Sequence, residues 1–184
     1  SITVSPTVTT TYYVRYSGTC NTTTCASVVV SVNSFSIAPT GILGTTTICN
    51  GDSTTLTLTG GTAGLGATAQ WFSGSCAGTI EGTGNSIIVS PSTNTTYHVR
   101  YNGTCNTTIC ASNSIIVNTP SVAPTSISGT TTICNGDSTT LTLSGGTAGT
   151  GATAQWFSGS CGGILLGTGN SVSVSPATTT TYFV

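Results

Sequence analysis

The sequence predicts an all-β fold built as tandem two-sheet sandwich modules of 85 residues, stabilised by disulfides. Three observations predict it. The stretch 48–76, ICNGDSTTLTLTGGTAGLGATAQWFSGSC, returns at 133–161 with two substitutions, Ser144 for Thr59 and Thr150 for Leu65. Short runs alternate apolar and polar residues between Gly, Asn and Pro breaks, and no stretch keeps a 3.6-residue period over three turns. Eight cysteines stand beside a single histidine in 184 residues, a balance that points to disulfides and an oxidising compartment.

The offset of 85 aligns Pro6 with Pro91 and Pro176, Tyr12 with Tyr97 and Tyr182, and Cys20 with Cys105, without a gap. A period this long exceeds solenoid and propeller-blade repeats and suits a small domain with its own core. The expected organisation is the C-terminal part of one module at 1–33, a complete module at 34–118, and the N-terminal part of a third at 119–184. On this reading Val184 is not a natural terminus.

Within the complete repeat, strands are expected at 36–43, 53–59, 68–73, 86–90, 95–101 and 112–117, separated by turn residues. About seven short strands with turns every 8 to 12 residues is the pattern of a two-sheet sandwich. Comparing copies assigns the faces. In Tyr12-Tyr13-Val14-Arg15-Tyr16 and Tyr97-His98-Val99-Arg100-Tyr101 the first, third and fifth positions repeat, while the second varies as Tyr13, His98 and Phe183. The repeated set is expected to point inward. Leu56 and Leu58 alternate with Thr55, Thr57 and Thr59 and offer two leucines to the core, and Trp71 and Trp156 are its largest side chains.

Charge is confined to Arg15, Arg100, Asp52, Glu81 and Asp137, giving a net charge of −1. Nothing there attracts nucleic acid or an anionic membrane, so the surface must be covered by hydroxyls, amides, attached sugars or partner subunits, including lateral self-assembly of further copies. No apolar run approaches the roughly 18 residues of a membrane span, and export is the expectation. Catalysis has few candidates, and no catalytic residue, metal ligand or cofactor is assigned. His98, the one histidine, is replaced by Tyr13 and Phe183 in the other copies; Glu81 is replaced by Leu166; and Gly60-Gly61-Thr62-Ala63-Gly64 lacks the lysine and helix of a phosphate loop.

Cys-x-Gly-Asp-Ser before a Thr/Leu strand, then a Trp-Phe strand, Gly-Thr-Gly, Pro and Thr-Thr-Tyr-x-Val-x-Tyr recur in fixed order over essentially the whole chain. This order resembles the immunoglobulin-like repeats of very large secreted surface proteins of Bacteroidota, including gliding-motility adhesins. The resemblance implies immunoglobulin-like β-sandwiches, export to the cell surface through the type IX route, and a place in a long fibre whose partners are further copies of the same module. In an immunoglobulin-like order Cys49 and Cys76 fall at one end of the sandwich, and Cys105 and Cys110 flank the last hairpin. The pairs implied are Cys20 with Cys25, Cys49 with Cys76, Cys105 with Cys110, and Cys134 with Cys161. A bridge from Cys105 or Cys110 to the next copy stays open, and a zinc site is disfavoured because the C-x4-C hairpin lacks a matching knuckle.

Asp52 and Asp137 recur in Asn-Gly-Asp-Ser-Thr, which reads as an Asx-type turn. Asp-Ser-Thr also resembles the O-glycosylation sequon of Bacteroidota, which would modify Ser53 and Ser138. Three functions remain in play. The first is the stalk of a surface adhesin that holds a binding tip away from the cell. The second is carbohydrate binding by the variable aromatics Tyr13, His98 and Phe183, with gain from multivalency. The third and weakest is ice binding by Thr55, Thr57 and Thr59.

Overall fold

A computed structural model describes residues 1–184. It contains sixteen strands and no helix, as expected of a chain rich in Thr and β-branched residues. Contacts divide it into two units, one of residues 1–48 and 52–116 and the other of 49–51 and 117–184.

At the N-terminus β1 (Thr10–Val14) and β2 (Ala26–Val30) form an antiparallel hairpin. The next eight strands build a complete sandwich. One sheet orders β3 (Gly41–Leu43), β5 (Thr54–Thr59) and β8 (Ser86–Val89) side by side. The other orders β4 (Thr47–Cys49), β10 (Ala111–Asn118), β9 (Thr95–Asn102), β6 (Thr68–Ser73) and β7 (Thr79–Thr83). Ile116 N donates to Thr46 O and Asn50 N to Asn118 O, so β4 runs parallel to β10 and ends where β10 ends.

The core forms where the inner faces meet. Leu56, Trp71, Val99 and Ile115 are fully buried, with Ile48, Val89, Tyr97 and Tyr101 around them. The inward assignment of Tyr97, Val99 and Tyr101 therefore holds, because a period of two puts alternate side chains on one face. Leu58 is only half-buried. The indole Nε1 of Trp71 donates to Gly84 O at 2.8 Å, which satisfies the one polar atom of that side chain inside an apolar centre. Beside it β7 carries a bulge: Trp71 faces Gly82 and Phe72 faces Ile80, so Glu81 has no opposite residue. The turn after β5 needs glycine at position 61, where φ is 68° and a Cβ would lie 2.5 Å from Ala38 O.

The remaining strands repeat part of this plan. β11 (Ser126–Ser128), β12 (Thr139–Ser144) and β15 (Ser171–Val174) match the three-stranded sheet, and β14 (Ile164–Thr168), β13 (Gln155–Ser158) and β16 (Tyr182–Phe183) match part of the other. Trp156, Leu141 and Val174 form their core, and Trp156 Nε1 donates to Gly169 O at 2.9 Å.

Three strand expectations need correction. The strand expected at 36–43 begins only at Gly41, because Ile37 makes a single bridge to Thr62. β4 and β7 were not anticipated: β4 is three residues long and pairs with a distant strand, and β7 holds a glycine and a bulge.

Candidate functional site

The outer face of β6, β9 and β10 is the most elaborated surface of the complete sandwich. Register sets it: Phe72 lies opposite His98, and His98 opposite Ser112, all on the side away from Trp71 and Val99. An outward phenylalanine would ordinarily be wet, yet Phe72 is buried. Two features mark this face. The Arg100 guanidinium carbon sits 5.0 Å from the Phe72 ring centroid, a cation–π contact. Cys76 is bonded to Cys110 with their Cα atoms 6.0 Å apart. Cys76 lies in the turn after β6 and Cys110 directly before β10, and β9 runs between those strands. The bridge therefore passes over the outer face of β9, above His98 and Arg100. His98 Nε2 and Arg100 Nε are both buried there.

This arrangement corrects the expected pairing. Cys76 joins Cys110 and not Cys49, and Cys110 joins Cys76 and not Cys105. The physical reason is the sheet order. Cys49 ends β4, on the far side of β10 from β6. Cys105 stands beyond the Asn102–Thr107 bridge at the hairpin tip, while Cys110 directly precedes Ala111, which pairs with Val99. Cys20, Cys25, Cys105, Cys134 and Cys161 are exposed thiols, so the pairs Cys20–Cys25 and Cys134–Cys161 are not formed. At the offset of 85, Cys25 is the counterpart of Cys110 and Cys161 that of Cys76, and neither equivalent bridge has both ends within residues 1–184.

The three variable aromatics occupy different environments. Tyr13 is exposed on the N-terminal hairpin, His98 is half-buried beneath the disulfide, and Phe183 is half-buried opposite Phe157. Arg100 is held against Phe72; period-two alternation places both side chains outward and is the available signal. Ser53 and Ser138 are exposed, each just before its strand. Asp137 Oδ2 accepts from Cys134 N at 3.3 Å and Asp137 N donates to Cys134 O at 3.0 Å, closing the turn expected of that segment. Thr55 and Thr57 are exposed on β5, with Ile88 and Leu43 as outward neighbours.

A groove of about 420 Å³ is lined by Glu81, Tyr97, Ser73, Thr93 and Thr95. Burial, and then the Glu81 carboxylate, push the Tyr97 phenol above its ordinary 10.0, so the groove holds a neutral phenol at physiological pH.

Comparison with known families follows this geometry. The model of the family described as Ig-like domain, CHU_C associated, matches residues 37–124 and again 120–184. The chain belongs to this family. Its two matched Ig-like domains lie in tandem, and the sandwich with Trp71 at its centre lies in the first. No curated protein matches the chain.

Proposed function

We propose that these Ig-like domains form the structural stalk of a cell-surface adhesin and hold a binding tip away from the cell. The observation that carries this reading is the tandem match of one Ig-like family across the chain. Repetition of a closed sandwich adds length at each copy without adding a reactive group. Supporting it, the central sandwich carries a disulfide over its outer face, suited to an extracellular setting without cytosolic reductants. With no lysine and only Arg15 and Arg100, the chain offers few sites to trypsin-like proteases. The Pro120 and Pro124 segment favours a semi-rigid link over a floppy one.

In this reading the modules run 1–33, 34–118 and 119–184, the chain is exported to the surface of a Bacteroidota cell, and its partners are further copies in cis. Ser53 and Ser138 are the proposed O-glycosylation sites, both exposed, where sugars would hydrate a charge-poor fibre. The reading is non-catalytic.

The test is a glycan array probed with the purified chain, paired with activity screens for hydrolases. The stalk reading predicts a blank array and no turnover. Saturable binding to a defined sugar, lost on Tyr13→Ala or His98→Ala, would replace the stalk by an adhesive module.

A further inference from the structure

The segment leading into the complete sandwich is held in an unusual way. Residues 33–37 are not paired as a strand, yet Ser36 is 7% exposed. Both backbone groups of Ser36 are satisfied by one side chain: Asn106 Oδ1 accepts from Ser36 N at 2.8 Å, and Asn106 Nδ2 donates to Ser36 O at 3.0 Å. Asn106 belongs to the β9–β10 hairpin, 70 residues further along the chain. Its amide reproduces the paired donor and acceptor of a neighbouring strand.

Contacts on either side complete the grip. Asn33 Nδ2 donates to Thr104 Oγ1 at 3.3 Å in the same hairpin. From the loop after β5, Gly64 N donates to Ser36 Oγ at 2.9 Å and Leu65 N to Ser34 Oγ at 3.1 Å. Gly64 is required there, since a Cβ would lie 2.2 Å from Ser34 O. The C-terminal repeat supplies a comparison. Gly149 N donates to Ser121 Oγ at 2.9 Å just as Gly64 does to Ser36, but residues 1–184 include no counterpart of the hairpin, and Ser121 is exposed. The hairpin, and not the glycine loop, buries the serine.

We propose that Asn106 is a positioning residue that locks the direction in which the chain enters the sandwich. Bending the segment at 33–36 then requires breaking both amide bonds to Ser36. The lock does not depend on the stalk reading: it holds for a binding module as well as for a shaft. Its sequence mark is the pairing of an asparagine in the hairpin tip with a serine ahead of the first strand, and Asn21 and Ser121 occupy the same two positions in the neighbouring repeats.

Backbone hydrogen exchange on the intact chain tests it. Asn106→Leu keeps the approximate size and removes both bonds; Asn106→Asp keeps the acceptor and removes the donor. The lock predicts that exchange at Ser36 rises at least about tenfold in Asn106→Leu and by less in Asn106→Asp. The amides of Trp71 and Val99 keep wild-type rates in both. Exchange at Ser36 within about twofold of wild type in Asn106→Leu overturns the proposal. If Asn106→Leu unfolds the sandwich, Asn106→Ala, which also removes both bonds, decides by the same reading: faster Ser36 exchange with an unchanged core supports the lock, and an unchanged Ser36 refutes it.

Discussion

Trp71 and Trp156 sit in equivalent centres of two repeats, and residues 1–184 include the β9–β10 hairpin of the first alone. What both keep is the shared half: the three-stranded sheet, the fully buried indole with its bond to a glycine carbonyl, and the bulge opposite the tryptophan. What only the first has is the flank. Residues 47–49 form a strand with Ile48 buried, whereas residues 132–134 form none and Ile133 is half-buried. Phe72 is buried and Phe157 is not. The β1–β2 hairpin shows the converse: Val14 is 70% exposed, while its counterpart Val99 is 0%. In the complete sandwich the two halves are buried against one another, with Trp71 and Val99 both 0% exposed.

The sharpest way to break this comparison is at its shared centre. Trp71→Ala removes the largest buried side chain and is expected to cost about 3–5 kcal/mol in denaturant-induced unfolding of the first sandwich; a cost under about 1 kcal/mol would mean that the indole is not its centre. Next comes the flank. Cys110→Ser opens a bridge of sequence separation 34 and should cost on the order of 3–4 kcal/mol, a loss that reductant alone reproduces. Reductant should leave unfolding of the C-terminal repeat unchanged, since Cys161 is already a thiol.

A smaller effect lies at high pH. The Tyr97 phenol is raised above 10.0 by burial and then by Glu81, so folding favours its protonated form. The stabilisation is therefore fully present below pH 10 and is lost as pH rises through the folded value. Glu81→Gln should reduce that alkaline loss in urea titrations run across pH 9 to 12, and an identical profile would remove Glu81 from the account. The mildest test is limited trypsin digestion without reductant. Cleavage at Arg15, exposed beside β1, should precede cleavage at Arg100, held against Phe72.

Much of the sandwich was legible because period-two alternation, read twice over at one offset, fixes which side chains face inward. Tyr97, Val99 and Tyr101 followed directly, and so did both tryptophans. The cysteine pairing did not follow, since it depends on which strands flank β9 and on a turn that folds across it. Neither is local. Outward alternation of Cys110 with Ser112 and Ser114 was present in the sequence, and it points toward the face that the bridge crosses. β4 escaped because its partner lies about seventy residues away, and three residues carry no period. The Asn106–Ser36 tie is a side chain acting as a strand, which no alternation pattern encodes.

Peptide mapping of the oxidised chain under non-reducing conditions tests the closed sandwich most directly. The account predicts a linked peptide pair containing Cys76 and Cys110 that separates on reduction. A pair joining Cys49 to Cys76, or Cys105 to Cys110, would contradict it.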